Sequence, residues 1–144
     1  MAKVNWGRLL LGSLIAAVLC FVTDGLMHNM LIHEDWKGVY TALKATPPTD
    51  HDPMSFAYFG LLEIGRGFVT MFLYIMMRAR MGAGPKTAVW AGVVSWVAFS
   101  LTGPAQYIPL GLMSCAVWLK AAGFQLVTSV GAALAGAAPY KEKK

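Results

Sequence analysis

The sequence predicts an all-α protein, a four-helix transmembrane bundle, on three observations. Its 144 residues are 57% hydrophobic and only 13% charged, about half the charged share of an ordinary soluble domain. The apolar residues come in long runs divided by short polar or proline-containing junctions, and the basic residues gather at the ends of those runs. Too little polar surface remains to coat a globule in water, and the length suits one domain, 1–144. A soluble enzyme, a disulfide scaffold and a disordered tail are excluded.

A span needs roughly 20 residues. The first apolar run, Leu9–Thr23, continues with interruptions to Ile32, so a helix over 6–32 is expected, with Asp24 and His28 inside it. A signal peptide is the rival reading of this start. The run is long and lacks a small-x-small cleavage site, and Leu19 before Cys20 fits a lipoprotein site poorly. Residues 33–53 read as a polar outer loop, with a short surface helix over Trp36–Ala45 that Pro47 and Pro48 end. Pro53 suits the first turn of a helix, where its missing N–H is unpaired anyway, and Asp50 or Asp52 is placed to cap a second span over 54–78.

Met81–Lys86 reads as a tight turn, with Pro85 opening the third helix. Residues 87–119 carry no charge and are too many for one span. Pro104 and Pro109 cannot both sit in one regular helix without breaking its hydrogen-bond ladder. The run therefore divides into a third span over 85–102 and a fourth over 109–137, the latter holding Lys120. Cys20 and Cys115 lie in different apolar runs, with neither CxxC nor zinc spacing, and read as small core residues.

The net charge of +5 takes its meaning from position. Lys3 and Arg8, then Arg78, Arg80 and Lys86, then Lys141, Lys143 and Lys144 flank the spans, whereas the 33–53 loop holds two lysines and four acids. By the positive-inside rule both termini are cytoplasmic, and the expected location is the cytoplasmic (inner) membrane. Charges scattered in short loops do not make the continuous basic face that nucleic acid requires. The bilayer is the expected partner.

Position also converts into depth, at about 1.5 Å per helical residue. Counted from the outer helix ends, Asp24 falls about 12 Å in, Glu63 about 14 Å, Lys120 about 16 Å and Arg66 about 18 Å. Four ionisable residues on three helices share one level, two acidic and two basic. Each costs about 2.5–3.5 kcal/mol at the bilayer centre on the insertion scale, so the four are expected to face one another. Glu63 and Arg66 share a face, continued by Gly60, Gly67, Thr70 and Tyr74. Gly131, Ala135 and Gly136 give the fourth span small-xxx-small spacing. The third span, with Trp90, Ser95, Trp96 and Ser100 but no charge, tolerates a lipid-facing position.

His28, His33 and His51, with acids nearby in sequence, form a second possible site for a transition metal. Their spacing matches no strong metal motif. His28, the one intramembrane histidine, also admits single axial ligation of a porphyrin-type group. No metal or cofactor is expected. No nucleophile elbow, P-loop, HExxH or Rossmann glycine pattern occurs, so no enzyme chemistry is assigned.

Val4–Gly12 at the start, Glu34-Asp35-Trp36 after the first span and Arg80–Ala88 between the second and third resemble the corresponding segments of small four-span bacterial membrane proteins of unknown function. The resemblance implies the four-span architecture and no activity. The expected role is a non-catalytic accessory or structural subunit, packing with itself or with a larger membrane complex. The alternative is a small proton- or ion-coupled transporter working through the Asp24, Glu63, Arg66 and Lys120 layer. A third reading is a subunit that binds a redox or pigment cofactor through His28.

Overall fold

The computed structural model describes residues 4–44 and 52–141. The described residues are helical, and four helices are long and apolar enough to cross a membrane. Helix α1 spans Trp6–Met30, α2 His33–Leu43, α3 Pro53–Met81, α4 Pro85–Ala105 and α5 Cys115–Ala137.

Local chemistry sets each boundary. The Asn5 side chain accepts the Arg8 N–H at 3.3 Å and opens α1. Asp52 caps α3 by accepting the Met54 and Ser55 N–H groups at 3.3 and 3.0 Å, with Pro53 in the first turn. Gly82, at φ +80°, ends α3. Three residues beyond the expected 78 belong to this helix. Arg78 and Arg80 stand in its last turn, where cations complement the helix dipole.

The largest departures from the expected spans surround the prolines of the long uncharged run. Helix α4 continues past 102 to Ala105 and takes Pro104 into its last turn. Pro104 has no N–H to offer the preceding turn, and the helix accommodates this with wide, π-type turns over Val97–Leu101. Thr102 steadies them by donating from Oγ1 to the carbonyls of Val97 and Ala98 at 3.0 and 3.1 Å. Residues 106–114 are turns, with Gly111 at φ +71°. The last helix therefore starts at Cys115, not 109. Ser114 is its cap and accepts the Val117 N–H at 3.2 Å. Cys115 is consequently exposed at a helix start, contrary to its expected core position, while Cys20 is buried.

The four long helices form a ring in which α1 lies between α3 and α5, and α4 stands diagonally across from α1. Small residues permit the closest approaches. Gly12 of α1 lies against the Gly136 carbonyl of α5, Gly67 of α3 against Ser13 and Ala17 of α1, and Gly92 of α4 against Ser129 and Val130 of α5. At Gly131, expected to serve packing, an added β-carbon would have nothing within 4 Å. The third span is no lipid-facing spectator: α4 buries Ala88, Ala91, Gly92 and Ser95 and packs extensively on α5. Two indoles lock that pair, Trp96 donating to the Ala122 carbonyl at 2.8 Å and Trp118 to the Leu101 carbonyl at 3.0 Å.

Both chain ends meet on one face of the bundle. Arg8 Nη1 donates to the Pro139 carbonyl at 2.7 Å, and Asn5 Nδ2 to the Lys141 carbonyl at 3.2 Å. Arg78 lies over the rings of Tyr74 and Tyr140 at 5.7 and 5.0 Å on the same face.

Candidate functional site

Midway along the bundle a single guanidinium reaches all four spanning helices. Arg66 lies on α3 and is 7% exposed. Its Nη1 donates to Asp24 Oδ2 on α1 at 2.8 Å, and stands 3.4 and 3.5 Å from the two carboxylate oxygens of Glu63, one turn away on its own helix. Its Nη2 donates to Ser100 Oγ on α4 at 3.2 Å and to Ser129 Oγ on α5 at 2.7 Å. Asp24 Oδ2 also accepts from Gln125 Nε2 on α5 at 3.0 Å. One turn further along α3, Thr70 donates to the Arg66 carbonyl at 2.8 Å and its hydroxyl lies 2.7 Å from that of Ser95 on α4.

The geometry explains how three ionisable side chains reside in an apolar run. Side-chain exposures of 13% for Asp24 and 16% for Glu63 keep both carboxylates off the lipid-facing surface. The three share one hydrogen-bond network, which offsets much of the desolvation cost of burying them. Ser100 belongs to the wide-turn segment of α4, so the irregular part of that helix is the part in contact with the guanidinium. Two buried atoms in the network, Asp24 Oδ1 and Arg66 Nε, have no partner among the described residues.

Lys120 does not join this layer. Its Nζ lies 3.4 Å from Asp35 Oδ2 of α2, and the side chain is 60% exposed. The reason is the late start of α5. With the helix beginning at Cys115, Lys120 is about 7.5 Å along it at 1.5 Å per residue, near its N-terminal end. Asp24, Glu63 and Arg66 are brought together, and the fourth expected member instead ties α5 to the surface helix.

That surface helix begins at His33, three residues before the expected Trp36. Trp36 stacks on His28 of α1, with ring centroids 5.5 Å apart and planes inclined 21°, and Tyr40 continues the aromatic row at 6.2 Å. The Nδ1 of His28 is 3.0 Å from the Asp24 carbonyl oxygen, which places a proton on that nitrogen. His33 is exposed at the start of α2. His51 lies outside the described residues. Among the described residues no three His, Cys, Asp or Glu side chains are grouped closely enough to hold a metal ion. On α2 the Glu34 carboxyl is held below its usual range by the Lys37 ammonium, which donates to it at 2.7 Å. The Asp52 carboxyl is likewise lowered, by the Ser55 hydroxyl and by the capped N–H groups of Ser55 and Met54.

The serines and Gln125 carry most of the layer's contacts to α4 and α5, yet sequence reasoning singled out neither Gln125 nor Ser129. Gln125 and Ser129 are four residues apart and so share a helix face, the one signal that bore on them.

Compared with known protein families, residues 11–136 match one described as "Protein of unknown function (DUF1761)". No curated protein and no solved structure matches the chain.

Proposed function

The chain belongs to this family of unknown function, and on that premise we propose that it is a non-catalytic bundle of the cytoplasmic (inner) membrane. It packs as an accessory or structural subunit, with itself or with a larger membrane complex, and both its termini are cytoplasmic. The observation that carries the reading is the use Arg66 makes of its N–H groups, with partners on α1, α3, α4 and α5 at once. A guanidinium engaged in this way fixes which helices meet and in what register, and is not available to grip a solute. The outer flank of α1 adds support. Leu14, Ile15, Val18, Leu19, Val22 and Thr23 line a shallow apolar groove there, on the bilayer side of the bundle.

The orientation rests on charge. Arg8, Arg78, Arg80, Lys86 and Lys141 lie at the end of the bundle where both termini meet, and positive residues stay inside. A second reading, a small proton- or ion-coupled transporter, draws on the two carboxylates that share one guanidinium. Native mass spectrometry of protein extracted in mild detergent separates the two. The packing reading expects an assembly of fixed stoichiometry. A monomer that moves protons or a solute across a liposome membrane overturns it.

A further inference from the structure

We propose that the Asp24, Glu63 and Arg66 cluster is a proton-binding site, and that Glu63 holds one exchangeable proton in the middle of the membrane. This goes beyond the packing reading and stands or falls separately from it. The first support is a charge count. With Lys120 bonded to Asp35 near the outer surface, the buried layer holds two carboxylates against one guanidinium. Both acids ionised would leave a net charge of −1 in a region where an isolated charge costs about 2.5–3.5 kcal/mol or more. One bound proton makes the layer neutral.

The second support is how the partners are shared. Asp24 has the short bond from Arg66 at 2.8 Å and a further one from Gln125 at 3.0 Å. Glu63 has only the remote approach of the same Nη1 at 3.4 and 3.5 Å. Asp24 is thus supported as an anion and Glu63 is the carboxyl left over. Among the described residues no other cation joins this network. Besides Arg66, the network is completed by neutral groups: the Ser100 hydroxyl of α4 and the Ser129 hydroxyl of α5 on the guanidinium, the Gln125 amide of α5 on Asp24, and the buried Cys20 thiol of α1. The third support is the unpartnered pair within the network. Asp24 Oδ1 is a buried acceptor without a donor among the described residues, on a carboxyl that shares the Arg66 Nη1 with Glu63. Arg66, more than nine-tenths buried, keeps its Nε without a partner as well.

The test is infrared spectroscopy of the full chain in lipid nanodiscs at neutral pH, read at the C=O stretch of a neutral carboxyl, a band that carboxylates lack. The expected result is such a band in the unsubstituted protein, shifted in D2O because the proton exchanges, and absent in Glu63→Gln. Asp24→Asn supplies the sharper result. It leaves one carboxylate for one guanidinium, so Glu63 gives up its proton and the band disappears although Glu63 is still present. A purely structural cluster predicts no such loss. The proposal is overturned if the unsubstituted protein lacks the band, or if the band survives in a Glu63→Gln protein with unchanged helical circular dichroism. Loss of the band on replacing choline by sodium in the buffer also overturns it, because a metal cation then balances the layer.

Discussion

Gly92→Ala provides the most direct test of the packing. In an exposed helix interior this substitution is favourable by about 1 kcal/mol, because alanine is the better helix former. At Gly92 the surroundings reverse the sign. A β-carbon there would lie 2.7 Å from the Ser129 carbonyl oxygen and 2.7 Å from the Val130 Cα, both backbone atoms of α5 that no rotamer change can move. Ordinary contact begins at 3.4 Å, so α4 and α5 must part by about 0.7 Å. Overpacking of this kind costs about 1–3 kcal/mol. The Ser129 hydroxyl is bonded to Arg66 at 2.7 Å, so the same displacement strains the buried ion cluster. The expected net effect is destabilisation by about 1–2 kcal/mol after the helix-propensity gain is subtracted. Gly25 and Gly65 have nothing within 4 Å of an added β-carbon. Their alanine variants serve as controls and are expected to be neutral or stabilised by up to about 1 kcal/mol. Thermal unfolding in one detergent, followed by circular dichroism, measures all three. A Gly92→Ala protein as stable as the Gly25→Ala control would refute the close approach of α4 to α5.

A double-mutant cycle on Asp24→Ala and Arg66→Ala should show coupling of about 1–2 kcal/mol, the upper part of the range for polar contacts in membranes. The cycle on Lys120→Ala and Arg66→Ala should be additive, as expected for residues that do not meet. The Asp52 cap gives a pH dependence of known sign. Its carboxyl is lowered in the folded protein by its bonds to Ser55 and Met54, so its stabilising effect is complete above the usual aspartate range and is lost as pH falls through the lowered folded value. Hydrogen-exchange protection of the Met54 and Ser55 amides should fall over that window, and Asp52→Asn should remove the pH dependence while retaining a cap. A reporter enzyme fused after Lys144 should be active only as a cytoplasmic protein. Activity of a periplasmic reporter at that position would reverse the orientation.

Much of the fold was legible because the bilayer enforces a simple rule. A span must be long and apolar, and its backbone must satisfy itself, so hydropathy and prolines located four helices. Grouping buried charges by depth drew Asp24, Glu63 and Arg66 together, and these three side chains share one network in the structure. The same method misplaced Lys120 because depth was counted from an assumed helix start at 109. Pro104 and Pro109 cannot share one regular helix, and dividing the run between them puts the fourth span's start at 109. In the structure Gly111 bends the chain after it, and Ser114 supplies the cap. The difference is only a few residues, yet it moves a charge from the middle of the bundle to its outer edge. Neutral partners left a weaker trace. Ser100, Gln125 and Ser129 sit in apolar runs where a hydroxyl or amide is tolerated for many reasons, and their common role appears only once Arg66 is among them. The glycines divide the same way. Gly67 and Gly136 were singled out and make backbone contacts, while Gly12 and Gly92 do so unannounced, because which glycine meets a neighbour depends on crossing geometry that spacing does not encode.

The relocation of Lys120 changes more than one contact. A layer of two acids and two bases is neutral and needs nothing further, so its simplest role is to select which helices pack. A layer of two acids and one base has the same bonds to all four helices but one uncompensated charge. The protein can keep that layer in the membrane only by taking up a positive charge, by opening the layer to water, or by losing an acid. The first alternative needs no rearrangement, since Glu63 is already the less well bonded of the two carboxyls. Packing and proton binding are therefore not rival uses of the cluster. The arrangement that commits Arg66 to Asp24 and the two serines is the same arrangement that leaves Glu63 to be neutralised by a proton.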